Sequence, residues 1–159
     1  MITRTAKFSD CMAYRYELLV RWKAFGPIMT WLMMNPSTAT EMKDDPTIKL
    51  VTKRAKNLGY SGIRILNVFA FRATKPEDMM MQLDPVGPKN NETIISALEK
   101  DKEVYCAWGN PGAHLGRDEE IRKMLAANNI KMKCIKINKT GQPVHPLFRA
   151  MDDKYQDYV

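Results

Sequence analysis

Thr30-Trp31-Leu32-Met33-Met34-Asn35-Pro36-Ser37-Thr38-Ala39 decides how the chain is read. Apolar side chains run almost unbroken to a single amide, and the chain then turns at Pro36. Such a run fits a strand covered on both faces, as strands of parallel sheets are. A polar break at its end marks the carboxyl edge of the sheet, where α/β proteins hold their ligands. Three other apolar runs end similarly, at Asn67, at Trp108-Gly109-Asn110, and before His145-Pro146. The four ends are expected to converge on one pocket, with Asn35 as its central polar group.

Working outward, apolar runs over 28–34, 63–68, 104–108 and 131–137 read as strands. Between them, Ile48, Val51, Ala55 and Leu58 recur at helical spacing, with Lys49, Lys53, Arg54 and Lys56 directed largely elsewhere. Asp45-Pro46-Thr47 has the form of a helix start, with Asp45 as N-cap and Pro46 in the first helical position. Gly59 is the expected C-cap. A short helical turn is expected after Thr74-Lys75-Pro76, a helix over 90–100 on Ile94, Ile95 and Leu98, and another over 117–128 on Ile121, Met124 and Leu125. Residues 11–22 carry Tyr14, Tyr16 and Leu18 in alternation and read as an N-terminal strand or ribbon. Residues 1–10 and the tail are polar and are expected to be loosely held.

This alternation predicts an α/β fold: a three-layer α/β/α sandwich around a four-stranded, mainly parallel sheet with right-handed crossovers, plus the N-terminal ribbon. At 159 residues the chain is expected to form a single domain over 1–159, with its core at about 11–149. That length buries about two-thirds of the unfolded surface. The net charge of +7 favours a polyanionic partner, DNA or a nucleotide. Three cysteines without CxxC spacing read as free thiols, Cys106 and Cys134 being buried. With no apolar leader or membrane-length run, the expected location is cytoplasmic. No metal site and no cofactor are expected, because two histidines and three scattered cysteines lack ligand spacing. Oligomeric state is not encoded in any recognisable pattern.

Neither a P-loop nor a nucleophile elbow is present. What remains is an amide-rich set, Asn35, Asn67 and Asn110, with His145 on a separate loop. Asparagine offers a donor and an acceptor side by side, matching a nucleobase edge. The same residue at a strand end can instead tie down a neighbouring loop, and His145 can equally be a loop anchor. His114 lacks supporting context and is read as a surface residue.

Met33-Met34-Asn35-Pro36-Ser37 resembles the first motif of the uracil-DNA glycosylase superfamily, in the branches that carry an Asn-Pro pair there. Ile65-Leu66-Asn67-Val68 resembles its second strand, Ala107-Trp108-Gly109-Asn110-Pro111-Gly112-Ala113 its third strand and turn, and Val144-His145-Pro146-Leu147 its closing motif. The chain is also identified as a member of the domain of unknown function 1643 family. That identification rests on Tyr14-Arg15-Tyr16, Asn35-Pro36-Ser37-Thr38-Ala39, Asp44-Asp45-Pro46-Thr47, Asn67-Val68-Phe69-Ala70, Asp84-Pro85-Val86-Gly87-Pro88, Ala107-Trp108-Gly109 and Gly141-Gln142-Pro143-Val144-His145-Pro146-Leu147.

The glycosylase resemblance implies hydrolysis of the N-glycosidic bond of a modified or damaged base in DNA. Asn35 would position water, and His145 would donate to the departing base. Asn67 and Asn110 would read the base, with Phe69, Phe71 or Trp108 stacking on it and Leu147-Phe148 wedging into the duplex. Pro36, Ser37 and Thr38 would shape the pocket, while Arg15, Arg21, Lys43 and Lys139 would contact phosphates. Apart from the resemblance, Asp44 and Asp45 are read as pocket residues: a cap explains only Asp45, and the readings for Asp44 are a base facing the pocket or a ligand for a cation or a sugar hydroxyl. The glycosylases have no counterpart of Asp44-Asp45, and two acids near a DNA path repel its phosphates, which weighs against duplex DNA. An enzyme acting on free nucleotides, or a phage or defence factor that binds a base without cleaving it, uses the same pocket.

Overall fold

The computed structural model describes residues 1–38, 45–147 and 154–158. Its centre is β3 (Ile28–Met33) beside β4 (Gly62–Asn67), paired in parallel from Ile28↔Gly62 to Met33↔Asn67. β5 (Glu103–Cys106) pairs in parallel with β3, and β6 (Lys131–Cys134) with β5. This four-stranded parallel centre is part of a mixed sheet of seven strands, ordered β1-β2-β4-β3-β5-β6-β7. The expectation of a four-stranded sheet is corrected accordingly. β1 (Thr3–Phe8) and β2 (Arg15–Arg21) add an antiparallel pair on one side, and β7 (Gln156–Asp157) an antiparallel strand on the other.

The added strands show why sequence pattern alone missed them. β1 alternates exposed and half-buried residues and lies at an edge, so it has no buried apolar run to announce it. Residues 1–10 are therefore not loose, and of the strand or ribbon expected over 11–22 the structure has a strand, β2, antiparallel to both neighbours. At the other end, Tyr155 stacks edge-on against Trp31 and Tyr105, and Tyr158 against Trp108. Tyr158 is 3% exposed, so the core extends beyond residue 149.

Strand periodicity divides the core into two layers. Trp31 and Met33, Ile63 and Ile65, and Tyr105 and Ala107 face α1 (Pro46–Asn57), which contributes Ile48, Val51 and Ala55. Leu32, Leu66, Val104 and Cys106 face the opposite side, where α2 (Pro76–Met80), α3 (Asn90–Leu98) and α4 (Arg117–Ala127) bury Met79, Ile94, Leu98, Ile121 and Leu125. From β3 the chain moves one way to β4 and then back across to β5. With crossovers of one hand, that reversal sends α1 and the later helices to opposite faces.

Asp45 caps α1 through Ile48 N (2.8 Å), with Pro46 in the first turn. Gly59, at φ +83°, follows the capping residue Leu58 instead of being the cap itself. Arg54, expected to face outward, is fully buried, and its Nη1 donates to the Tyr155 hydroxyl at 3.2 Å. Cys106 and Cys134 are buried free thiols and Cys11 an exposed one. Among the described residues no helix is long and apolar enough to cross a membrane.

A 3₁₀ segment, Asn110–Gly116, broken by non-helical backbone at His114 and Leu115, follows β5 and lies against Trp108. A Cβ on Gly112 would fall 2.0 Å from Trp108 Cδ1. Gly112→Ala is therefore expected to cost about 1–3 kcal/mol by overpacking, read as a lower midpoint in urea with an unchanged slope. An unchanged midpoint would show that the ring yields freely.

Candidate functional site

Asn35 and Asn67 follow from the same periodicity that divides the core. Asn67 continues the Ile63, Ile65 row and Asn35 the Trp31, Met33 row, so both amides emerge on the α1 side. The β3–β4 register places Met33 opposite Asn67, and Val68 N→Met33 O (2.8 Å) and Phe69 N→Met34 O (2.9 Å) carry the ladder past the strands. The two amides thus flank a cleft of about 200 Å³ at the carboxyl end of the parallel pair. The first turn of α1, with Asp45 and Thr47, forms one wall, and the segment from Ala73 to Pro76 forms another. Arg15 and His145 complete it, with Met33, Met34, Ile48 and Ile65 as apolar lining.

Asn35 is tied down by its amino group. Nδ2 donates to Ala73 O (2.9 Å) and Pro36 O (3.1 Å), leaving Oδ1 as the atom able to receive a donor. Asn67 is the reverse case. It is 1% exposed, and its Nδ2 has no hydrogen-bond partner. A buried amide proton left unsatisfied costs about 1–3 kcal/mol, and the residue that carries it lines the cleft.

His145 is half-buried, and burial pulls its pKa below the ordinary histidine value, with the Asp45 charge opposing the shift. Its Nδ1 accepts from Leu147 N at 3.1 Å. The ring is therefore the neutral tautomer with its proton on Nε2, a donor. Asp45 also lines the cleft, one carboxylate oxygen being used in the α1 cap. Arg15, 5% exposed, brings a guanidinium to the same space. Asn67 Nδ2, the His145 Nε2–H and Arg15 make the cleft rich in donors, whereas Asn35 Oδ1 and Asp45 supply acceptors.

Behind these groups lie residues that sequence reasoning missed. Asn90 Nδ2 donates to Asn67 O (2.8 Å) and Val68 O (3.2 Å). Arg117, 1% exposed, donates through Nε to Val68 O (2.7 Å), reaches Asn91 Oδ1 (2.7 Å) and pairs with Glu120. Desolvation lowers the Arg117 pKa. The His145 loop is held by Trp108 Nε1→Gln142 Oε1 (2.8 Å), Gln142 Nε2→Asp118 Oδ2 (2.8 Å) and Tyr158 Oη→Gly141 O (2.9 Å). The usable signal was a polar residue in an otherwise apolar helical stripe, and Asn90 and Arg117 each open a helix where polarity is unremarkable.

Asn35, Asn67, His145, Arg15, Asp45, Pro36 and Ser37 are thus brought to one cleft. Other candidates are not. Phe69 is fully buried in the core, and Trp108 is buried with its indole N–H committed to Gln142. Phe71 packs edge-on against Tyr14. Among the described residues the cleft lining contains no aromatic ring besides His145. Asn110 is exposed, its Oδ1 accepting from Asn138 and Thr140 in a surface turn. Thr38 bonds Thr74 (2.8 Å) on an adjoining groove, and Leu147 contributes its backbone N–H to His145. Arg21 caps the carbonyls of Lys23 and Ala24, and Lys139 is exposed in a turn. Asp44, Lys43, Ala39 and Phe148 lie outside the described residues. His114 is half-buried against Phe69, not a surface residue.

Residues 15–147 match the family described as protein of unknown function (DUF1643). No curated protein and no solved structure matched the chain.

The histidine tautomer makes stability depend on pH. The unfolded chain takes up a proton at His145 near pH 6.5, whereas the folded chain resists until lower pH. Between those two values unfolding binds a proton, so this contribution is present above about pH 6.5 and is lost as pH falls through the folded value. The midpoint of thermal unfolding should drop more steeply on acidification in the wild type than in His145→Gln. Identical slopes would show that the ring is not held neutral.

Proposed function

The chain belongs to the DUF1643 family, whose description assigns no activity, and from the site itself we propose that it binds a base bearing carbonyl acceptors and hydrolyses the N-glycosidic bond joining that base to DNA, in the manner of uracil-DNA glycosylases. The observation that carries this reading is Asn67, a buried amide whose Nδ2 has no partner and which lines the cleft that also receives His145. The order of layers, the strand-end positions of Asn35 and Asn67, and a loop that brings His145 to the same cleft also support this reading.

A uracil-like ring suits these donors. Asn67 Nδ2 meets its O4 while the amide oxygen accepts from N3–H. Cytosine reverses both partners, so binding it would leave two buried groups mismatched. The His145 Nε2–H is the donor for O2, where negative charge builds as the bond to C1′ breaks. Asn35, fixed by its own amino group, offers Oδ1 to orient the attacking water. Among the described residues, which offer no stacking ring, the base faces would pack on Met34, Ile48 and Pro36. An excess of 7 positive charges supports a polyanionic strand as the carrier of the base.

Incubation with oligonucleotides carrying deaminated, hydroxymethylated or otherwise modified pyrimidines tests the reading through alkali-labile abasic sites. At least one substrate should be converted, and His145→Ala should slow conversion about 10²–10³-fold, as loss of a transition-state donor does. No abasic product across the panel would overturn it. The two carbonyls held by Asn35 Nδ2 favour a second reading, in which that residue is purely structural and the chain binds a base without cleaving it. Tight binding lost in Asn67→Ala, with no base released, identifies that case.

A further inference from the structure

We infer that Asp45 is the general base of the site: its carboxylate accepts the proton of the water that attacks C1′. The inference rests on the glycosidic reading above and supplies what that reading lacks. An asparagine can orient water but is too weak a base to deprotonate it, so Asn35 alone leaves the nucleophile unactivated.

Asp45 is half-buried and lines the same cleft as Asn35, Asn67 and His145. One oxygen accepts from Ile48 N at 2.8 Å, which fixes the orientation of the carboxylate. The second oxygen takes no donor, and the side chain makes no ion pair, among the described residues. The α1 N-terminus favours a negative charge, but Asn and Ser cap helices as well as Asp does, so the cap alone does not require the carboxylate that lines this cleft. The Asp45 charge also acts on the His145 ring, so the two groups share one field.

The division of labour follows from atom type. Asn67 Nδ2 and the His145 Nε2–H are donors and suit the departing base. Asn35 Oδ1 and the second Asp45 oxygen are acceptors and suit a water and the positive charge developing on the sugar. In the step, the water oxygen bonds to C1′ and its proton passes to Asp45. The C1′–N bond breaks with its electron pair going to the base, which leaves as an anion held by the two donors. The base then takes a proton from solvent, and Asp45 returns its proton to solvent. The net change is addition of one water.

Asp45→Asn and Asp45→Ser, made in the full chain, separate base from cap because both retain an N-capping side chain. On the substrate found in the oligonucleotide panel, the single-turnover rate should fall about 10²–10⁴-fold, the usual range for a lost general base. The dissociation constant for a strand carrying a non-hydrolysable 2′-fluoro analogue should stay within a few-fold, and thermal stability should be retained. The His145 titration followed by NMR should move to lower pH, since a charge that opposed the shift is gone. Cleavage by Asp45→Asn at the wild-type rate, while His145→Ala is slow, overturns the role of Asp45 and leaves the glycosidic reading intact. Rate and binding falling together reduces Asp45 to a structural cap. A wild-type chain that releases no base overturns both.

Discussion

The parallel register of β3 and β4 is the constraint on which the site depends. Met33 faces Asn67, and two further backbone bonds, from Val68 N and Phe69 N, extend the pairing beyond the strands. A strand presents alternate residues to one face, so this register sets both amides on the α1 side, with Asn35 two residues further along than Asn67. A slip of one residue would turn Asn67 into the opposite layer, among Leu66, Val68 and Phe69. The cleft is thus a consequence of sheet geometry before any loop contributes to it.

The loops then supply contrast. Behind the strand ends, polar groups are paired: Asn90 and Arg117 cover the carbonyls of residues 67 and 68, and the chain Trp108, Gln142, Asp118 secures the loop that carries His145. In front, Asn67 Nδ2 is buried without a partner. Buried polar groups are seldom left unsatisfied. Among the described residues Trp31 Nε1, Arg72 Nε, Asn90 Oδ1 and His114 Nε2 also lack partners. Of these residues and Asn67, it is Asn67 that lines the cleft, a place suited to a ligand. His145 follows the same logic. Its Nδ1 is occupied by the chain, which assigns the remaining proton to the side that can face a ligand.

Much of this was legible in the amino-acid order. The apolar runs ending at Asn35 and Asn67 gave the central strands and their polar ends, and Asp45-Pro46 marked the start of α1. The flanking strands were not legible, because β1 buries only half of each alternate residue and β7 spans two residues. Trp108 and Phe69 were misjudged for another reason. An aromatic at a strand end looks alike whether it faces a ligand or the core, and here both face the core. Arg54 defeated the helical pattern because its guanidinium is buried against the ring of Tyr155, a residue 101 positions away. Asn90 and Arg117 act through backbone carbonyls, which leave no trace in the pattern of side chains.

The central claim is that the Asn67 amino group and the His145 Nε2–H meet the same base. Both protons are visible by ¹⁵N-edited NMR in the free protein and in complex with a strand carrying a non-hydrolysable pyrimidine analogue. Binding should move both signals together and protect both from exchange with water. If the strand binds while the Asn67 side-chain signal stays where it was, the amide does not read the base, and the account is wrong.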